Sequence, residues 1–136
     1  MPSGSGSSDP VRVLLVDDNE AMLDRAAAAL APACEIVGTV KDGLAALEAA
    51  KSLHPEVIVL DISMPGMTGF EVAARLRASG SDAAVVFLTV HNDEEFVTAA
   101  TAAGGLGYVI KRKLGADLMV AVQEARAGRA FVSEIR

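Results

Sequence analysis

The sequence is poor in the residues that mark several classes of protein. Its 136 residues include no tryptophan, one tyrosine and one cysteine. The single cysteine, Cys34, excludes an internal disulfide framework and is typical of a reducing compartment, so we expect a cytoplasmic protein in which Cys34 is a small buried hydrophobe. No run approaches the roughly 18 uninterrupted apolar residues of a membrane span. The net charge of −6 disfavours direct binding to nucleic acid, because phosphate contacts supply most non-specific affinity.

The start of the chain also lacks the pattern of a targeting signal. Residues 1–8 are rich in Pro, Ser and Gly, without the charged and apolar segments of a signal peptide. We interpret residues 1–9 as a flexible tail or a remnant of expression. Residues 10–129 have the usual length of one domain, and hydrophobic residues make up 51% of the chain, enough for one core.

Five short apolar runs alternate with longer segments of helical spacing. The runs are Val11–Val16, Glu35–Val40, Glu56–Leu60, Ala83–Leu88 and Leu106–Ile110. Runs of Val and Ile without polar alternation are typical of parallel strands that are covered on both faces. The helical segments begin near Ala21, Asp42, Gly69, Asn92 and Leu114. Strict alternation of this kind predicts an α/β fold, a doubly wound parallel sheet with right-handed crossovers.

Polar residues follow four of the apolar runs at the point where each run ends. They are Asp17, Asp18, Asp61, Thr89 and Lys111. Each alone is ambiguous, because an Asp after a strand is often a helix N-cap and a terminal Lys is usually solvated. In an open α/β sheet, however, ligands bind outside the carboxyl ends of the strands. We therefore expect these distant residues to share one edge and to form a site.

The residue types at this edge point to phosphoryl chemistry. Three carboxylates raise one another's pKa unless a cation relieves them, and Mg²⁺ accepts carboxylate oxygens while keeping waters and phosphate oxygens as further ligands. Lys111 adds a compact positive charge and Thr89 a hydroxyl group. A carboxylate nucleophile, a metal and a cation are the parts that phosphoryl transfer requires. The ligand spacing of a zinc site is absent.

The motifs at these strand ends resemble those of receiver domains of two-component response regulators. They are Val16-Asp17-Asp18-Asn19, the segment 61–69 with the sequence DISMPGMTG, Leu88-Thr89-Val90, and Gly107-Tyr108-Val109-Ile110-Lys111. Together they extend over about residues 11–127. The resemblance implies a flavodoxin-like fold with five helices and a five-stranded parallel sheet in the order 2-1-3-4-5.

The same resemblance implies a phosphoacceptor and a metal site. Phosphate would pass from the histidine of a sensor kinase to Asp61 in a Mg²⁺-dependent transfer. Asp17, Asp18 and Asp61 would hold the metal, with the backbone carbonyl of Ser63 as a further ligand. The chain would not be an enzyme in its own right, although it would assist its own phosphorylation and dephosphorylation.

A switch is the further implication of the resemblance. Thr89 and Lys111 would contact the phosphoryl group, and Tyr108 would swing inward as Thr89 moves. The surface formed by the fourth helix, fifth strand and fifth helix would then change its partner preference, and the protein would form a homodimer on phosphorylation. A coupling of about 1–3 kcal/mol is usual for such switches.

The end of the sequence resembles the receiver end of LuxR/NarL-type transcription regulators. We interpret residues 130–136 as the start of a linker to a helix-turn-helix output domain that the sequence lacks, so that DNA would be contacted only through that domain. Of an excised receiver and a natural stand-alone receiver, we favour the excised one, given the Gly/Ser-rich start of the sequence. In either case we expect transcriptional output to be controlled from Asp61.

Two residues depart from the family's usual pattern. Arg112 stands where many members have Pro, and Val90 occupies a position that is often Ala or Gly. A bulkier Val90 would crowd the phosphoryl group, which predicts slow turnover.

His91 lies two residues after Thr89, from where its side chain could reach the phosphoryl group or incoming water. His54 precedes a proline in a connecting loop and is predicted to face solvent.

Three alternatives come from other functional classes. A haloacid-type phosphatase would also form an aspartyl phosphate, but it needs a second Asp two residues after the nucleophile, where this sequence has Ser63. A binding module that is never phosphorylated would be favoured by an incomplete acidic set. A flavin-binding protein would need a Ser/Thr-rich phosphate loop after the first strand and more aromatic residues than the 4% found here.

Overall fold

Strands and helices alternate along residues 9–134, which the computed structural model describes. The elements are β1 (Val11–Val16), α1 (Glu20–Leu30), β2 (Cys34–Val40), α2 (Gly43–Leu53), β3 (Val57–Leu60), α3 (Gly69–Ala78), β4 (Ala84–Thr89), α4 (Glu94–Ala102), β5 (Gly107–Ile110), α5 (Leu114–Arg126) and β6 (Phe131–Val132). A short 3-10 turn precedes α5. The tail predicted over residues 1–9 lies almost wholly outside the described residues, as do the last two residues of the predicted linker.

The strands form one parallel sheet in the order β2-β1-β3-β4-β5-β6. The predicted order of the first five strands is confirmed, but the predicted number of five is wrong because β6 adds a sixth. This strand lies within residues 130–136, which the sequence analysis assigned to a linker. With only two residues, β6 is too short to show a period of its own, and it depends on backbone hydrogen bonds to the neighbouring β5 chain.

Apolar side chains cover both faces of the sheet. On one face, Leu23 of α1 and Leu118 of α5 belong to the same buried cluster as Val13 of β1. On the other face, helices α2, α3 and α4 contribute to a cluster that contains Leu14 of β1 and Phe87 of β4. This arrangement explains the near-continuous apolar runs, because consecutive residues of a central strand meet different helical layers. Among residues 9–134, no helix has the length and apolar character needed to cross a membrane.

Side-chain caps start three of the helices close to the ends of their preceding strands. The side chain of Asn19 accepts the N–H of Met22 at 3.0 Å, and Asp42 caps α2, as predicted. Thr68 forms a capping box with Glu71 at the start of α3. Each such cap satisfies backbone donors that the helix itself leaves unpaired. The caps therefore fix where these helices begin at the carboxyl edge of the sheet.

Candidate functional site

The backbone ladder of the sheet extends one residue beyond β1 and β3 and so fixes two carboxylates. The N–H of Asp17 donates to the carbonyl of Val40 at 3.1 Å, and that of Asp61 donates to the carbonyl of Val16 at 3.0 Å. Because β1 and β3 are neighbours, both acids lie at the same edge. Asp17 is 3% exposed and Asp61 4% exposed. The fold thus holds two acidic side chains side by side and away from water.

Lys111 places one cation against both buried acids. It follows β5, and its Nζ lies 2.9 Å from Oδ2 of Asp17 and 3.4 Å from Oδ2 of Asp61. Lys111 is itself mostly buried, with 13% of its side chain exposed. One amine therefore faces two carboxylates, so the charge of the cluster is only partly balanced.

The surroundings of Asp61 raise its proton affinity. Burial, followed by repulsion from Asp17, raises the pKa of Asp61 from 3.8 to about 6, although Lys111 and the N–H of Ser63 act in the opposite direction. That N–H lies 3.3 Å from Oδ1 of Asp61. A buried acid whose pKa is shifted by desolvation and a like charge is a candidate functional group.

The acidic residues suit a hard divalent cation. One carboxylate oxygen from each of Asp17, Asp18 and Asp61 lies within 4.8 Å of the others. Oδ1 of Asp17 accepts the N–H of Asn19 at 2.9 Å, whereas its buried Oδ2 accepts no hydrogen bond among the described residues and has only the ionic contact with Lys111. Asp18 is exposed, which leaves one side open to water. Carboxylate oxygens with room for waters are the donor set that Mg²⁺ prefers, so these residues fit it.

The two predicted switch residues are linked through the backbone of His91. Thr89 is fully buried, and its Oγ1 accepts the N–H of His91 at 3.2 Å. Tyr108 is 2% exposed and donates its hydroxyl hydrogen to the carbonyl of His91 at 2.9 Å. The ring of Tyr108 is therefore inside the protein in this structure. A shift of the loop after β4 would therefore change the hydrogen bonds of both side chains.

The side chain of His91 makes a contact that the sequence does not predict. Its Nε2 lies 2.9 Å from Oγ of Ser63, and its ring stacks on Phe96 with the centroids 3.9 Å apart. The predicted reach of His91 towards the phosphoryl group stays a prediction. The contact with Ser63 joins loops that are 28 residues apart, and neither loop carries a periodic signal that could have revealed it.

Other predicted residues lie where the structure gives them simpler roles. Cys34 is buried, which confirms its interpretation as a small hydrophobe, and burial raises the pKa of its thiol. His54 is exposed, as predicted, and ends α2 at the opposite edge of the sheet. The side chain of Val90 is 66% exposed. Its predicted effect on turnover remains a prediction.

Comparison with known proteins gives one consistent family. The family model of the response regulator receiver domain matches residues 13–123. The nitrate/nitrite response regulator protein NarL of Escherichia coli K12 is 35% identical over 130 residues, covering 94% of this chain and 60% of that protein. The transcriptional regulatory protein LiaR of Bacillus subtilis is 34% identical over 120 residues, covering 87% of this chain and 57% of that protein. The chain thus spans about 60% of the length of these relatives, which corresponds to their receiver portion.

Solved structures agree with the family. A signal receiver domain from Mycobacterium tuberculosis has a TM-score of 0.84 and 32% identity, covering 89% of this chain and 99% of that chain. A two-component response regulator of the LuxR family from Aurantimonas has a TM-score of 0.85 and 27% identity, covering 90% of this chain and 89% of that chain. The chain therefore belongs to the response regulator receiver domain family of two-component systems.

Proposed function

We propose that Asp61 is the phosphoacceptor of a two-component signalling switch. The observation that carries this proposal is the position of Lys111, whose amine faces both Asp61 and Asp17 at the carboxyl edge of the sheet. Thr89 ends β4, which lies between β3, the strand before Asp61, and β5, the strand before Lys111. A nucleophilic carboxylate, a cation and a hydroxyl donor thus share one edge, as phosphoryl transfer requires.

The transfer uses groups that the fold already holds in place. An oxygen of Asp61 forms a bond to the phosphorus of the donor, and the bond between phosphorus and the leaving group breaks, with its electron pair going to the leaving group. The amine of Lys111 then pairs with a phosphoryl oxygen, and the hydroxyl of Thr89 donates a hydrogen bond to another. Mg²⁺, held by Asp17, Asp18, Asp61 and the carbonyl of Ser63, would neutralise part of the charge on the phosphoryl oxygens.

The phosphoryl donor is the phosphorylated histidine of a sensor kinase in the cytoplasm. A phosphorylated side chain carries about −1.5 to −2 units of charge, and the recruited Thr89 and Lys111 then bias the last two βα units. Tyr108, tied to the loop after β4, reports this change to the surface of α4, β5 and α5. A homodimer forms on phosphorylation, and an output domain that binds DNA carries the signal. The names of the relatives, which include a transcriptional regulatory protein, support transcriptional output.

Intact-mass spectrometry with acetyl phosphate and Mg²⁺ tests the proposal. We expect the wild type to gain the mass of one phosphoryl group and Asp61→Asn to gain none. Asp18→Asn should slow labelling and weaken its dependence on Mg²⁺, since exposed Asp18 contributes a ligand without supporting the core. Asp82→Asn, which removes an exposed acid at the other edge, is the matched control and should label normally. Undiminished labelling of Asp61→Asn would overturn the assignment.

Family membership also weighs against the three alternatives. A phosphatase needs a second acid at the position of Ser63, and that hydroxyl is hydrogen-bonded to His91 instead. The acidic set is complete, which disfavours a module that is never phosphorylated. Repeated turnover of a phosphate ester by the wild type would revive the phosphatase, and release of more than one inorganic phosphate per protein molecule would detect it.

A further inference from the structure

β6 covers the edge of β5 beside Tyr108. The N–H of Phe131 donates to the carbonyl of Leu106 at 3.0 Å, and that of Ser133 donates to the carbonyl of Tyr108 at 2.8 Å. Val132 lies between these two anchored residues and is the register partner of Tyr108. The backbone position of Val132 is therefore fixed from both sides.

The side chain of Ser133 fastens the end of β6. Ser133 is 2% exposed, and its Oγ accepts the N–H of Ile110 at 3.2 Å while donating to Oδ2 of Asp117 on α5 at 2.7 Å. A buried hydroxyl that both donates and accepts is held in place, because leaving a buried polar group unpaired is costly. Val132 directly precedes this anchor, so it has little freedom to move away from β5.

Val132 and Tyr108 lie on the same face of the sheet. Successive side chains of a strand point to opposite faces, and neighbouring strands lie about 4.8 Å apart. Phe131 packs against the cluster of α1 and α5, whereas Tyr108 belongs to the cluster of α2, α3 and α4. Val132 follows Phe131, so its side chain lies on the face of Tyr108, one strand nearer to the edge of the sheet.

The hydroxyl of Tyr108 points away from β6. It donates to the carbonyl of His91, in the loop after β4, and β4 and β6 are the two neighbours of β5 in the sheet. On the side of β4, the ring belongs to an apolar cluster that includes Phe87. The sheet ends at β6, so a rotation that brings the ring to water must carry it across β6, where Val132 stands.

We propose that Val132 is a positioning residue that holds the ring of Tyr108 in its inward orientation. Valine is branched at Cβ and has few rotamers, so its side chain forms a stiff barrier beside the ring. Tyr108 is 2% exposed and Val132 is 46% exposed. Val132 therefore lies between the ring and the solvent at this edge.

The consequence for the switch rests on the proposed function of Asp61. The switch places Tyr108 inward when Asp61 carries a phosphoryl group, and the backbone of His91 joins Tyr108 to Thr89. By holding the ring inward, Val132 favours the phosphorylated state. Because coupling between two sites is reciprocal, a phosphoryl group or its mimic must favour the inward orientation by the same factor.

NMR of tyrosine-labelled protein tests the role of Val132, since the chain has one tyrosine. Three-bond couplings between Hα and Hβ give the χ1 populations, and line broadening by a soluble nitroxide reports exposure of the ring. We expect Val132→Ala to raise the ratio of outward to inward orientation by about threefold, because a lateral contact between an aromatic and a β-branched side chain is lost. Beryllium fluoride with Mg²⁺, a mimic of the phosphoryl group, should reverse that change.

Two variants and one amide serve as controls. Val132→Thr keeps the branched shape and should retain the wild-type ratio. Val120→Ala removes the same atoms from a valine of α5 that is also 46% exposed, and it should leave Tyr108 unchanged. Hydrogen exchange at the Ser133 amide should stay as slow as in wild type in all three variants, because β6 remains docked.

The outcomes separate this inference from the proposed function. An unchanged orientation of Tyr108 in Val132→Ala would overturn the inference, and so would a change that appears only together with fast exchange at the Ser133 amide. A mimic that binds Val132→Ala but leaves the ring outward would overturn the link to the phosphorylated state, with Asp61 still the phosphoacceptor. A wild type that neither binds the mimic nor labels with acetyl phosphate would overturn the proposed function, while the orientation measured without the mimic would still decide the role of Val132.

Discussion

The two edges of the sheet carry charge in opposite ways. At the amino edge, a groove of about 1380 Å³ is lined by charged residues that include Lys51, Glu56, Arg75 and Asp82, all of them exposed. At the carboxyl edge, by contrast, Asp17 and Asp61 are buried against Lys111. The groove is therefore not where buried charges meet.

The difference shows why concavity is a weak guide to function in this fold. Exposed charges keep their hydration and interact weakly with one another. The charged residues that line the groove therefore contribute little to the free energy of folding. Burying carboxylates lowers the stability of the folded state, because the charges lose their hydration. Their retention at the carboxyl edge marks the place where the molecule departs from its most stable arrangement, as functional sites do.

The largest difference between the two edges is expected in the free energy of unfolding lost when a glycine is replaced by alanine. A Cβ on Gly69 would lie 2.3 Å from the carbonyl oxygen of Asp61, whereas a Cβ on Gly80 at the groove would meet nothing within 4 Å. We expect Gly69→Ala to lower the free energy of unfolding by about 3 kcal/mol through overpacking. Gly80→Ala should cost about 1 kcal/mol, because its φ of +83° strains any other residue. Urea denaturation measures both, and equal losses would remove this contrast.

A somewhat smaller difference between the two edges is expected in the stability lost by keeping an acidic side chain charged. The pKa of Asp61 is raised from 3.8 to about 6 in the folded protein. The folded protein therefore binds a proton at Asp61 more tightly than the unfolded chain does. The contribution of Asp61 to stability is therefore greatest below about pH 4, falls as the pH rises towards 6, and stays reduced above it. In buffer with a chelator, Asp61→Asn should be more stable than wild type by about 2 kcal/mol above pH 6 and nearly equal to it below pH 4.

The pH series has its own control at the groove. Asp82→Asn removes an exposed acid there, and its stability should follow the wild-type curve. If the curves of Asp61→Asn and wild type ran parallel from pH 4 to 7, the acid at the carboxyl edge would carry no electrostatic cost.

The smallest effect is expected for an ion pair at the groove. Oε2 of Glu56 lies 3.7 Å from Nε of Arg126, with 41% of the Glu56 side chain exposed, and Oε1 accepts the N–H of Arg12 at 2.9 Å. Glu56→Gln keeps an oxygen for that N–H, so we expect a loss of no more than about 0.5 kcal/mol. Labelling by acetyl phosphate should be unchanged. A loss as large as that of Gly69→Ala would mean that the groove supports the fold as strongly as the other edge does.

Most of the candidate site could be predicted because it depends on where strands end. The order of the first five strands is confirmed, and the structure brings Asp17, Asp61 and Lys111 into contact as the strand-end rule implies. The contact between Ser63 and His91 could not be predicted, since it depends on the path of two loops.

Two features outside the site, the buried face of α2 and the sixth strand, could not be predicted for equally local reasons. On α2, Leu44 is 67% exposed, whereas Ala46 and Ala50 are buried. The buried face of α2 thus consists of small residues, which a pattern that counts large apolar side chains overlooks. The sixth strand was missed because its two residues owe their conformation to hydrogen bonds with β5 and to Ser133.

The burial of Tyr108 has a practical consequence, since the chain has no tryptophan and no second tyrosine. Its ultraviolet emission therefore comes from one phenol, whose hydrogen bond to the carbonyl of His91 is of the kind that quenches tyrosine fluorescence. Burial, with the nearby Asp93 adding to it, raises the pKa of Tyr108 to about 12, so the emitting group stays neutral across the working range of pH. The residue at the centre of the proposed switch is thus a built-in optical probe, and a change in its brightness reports movement of the loop after β4 without any added dye.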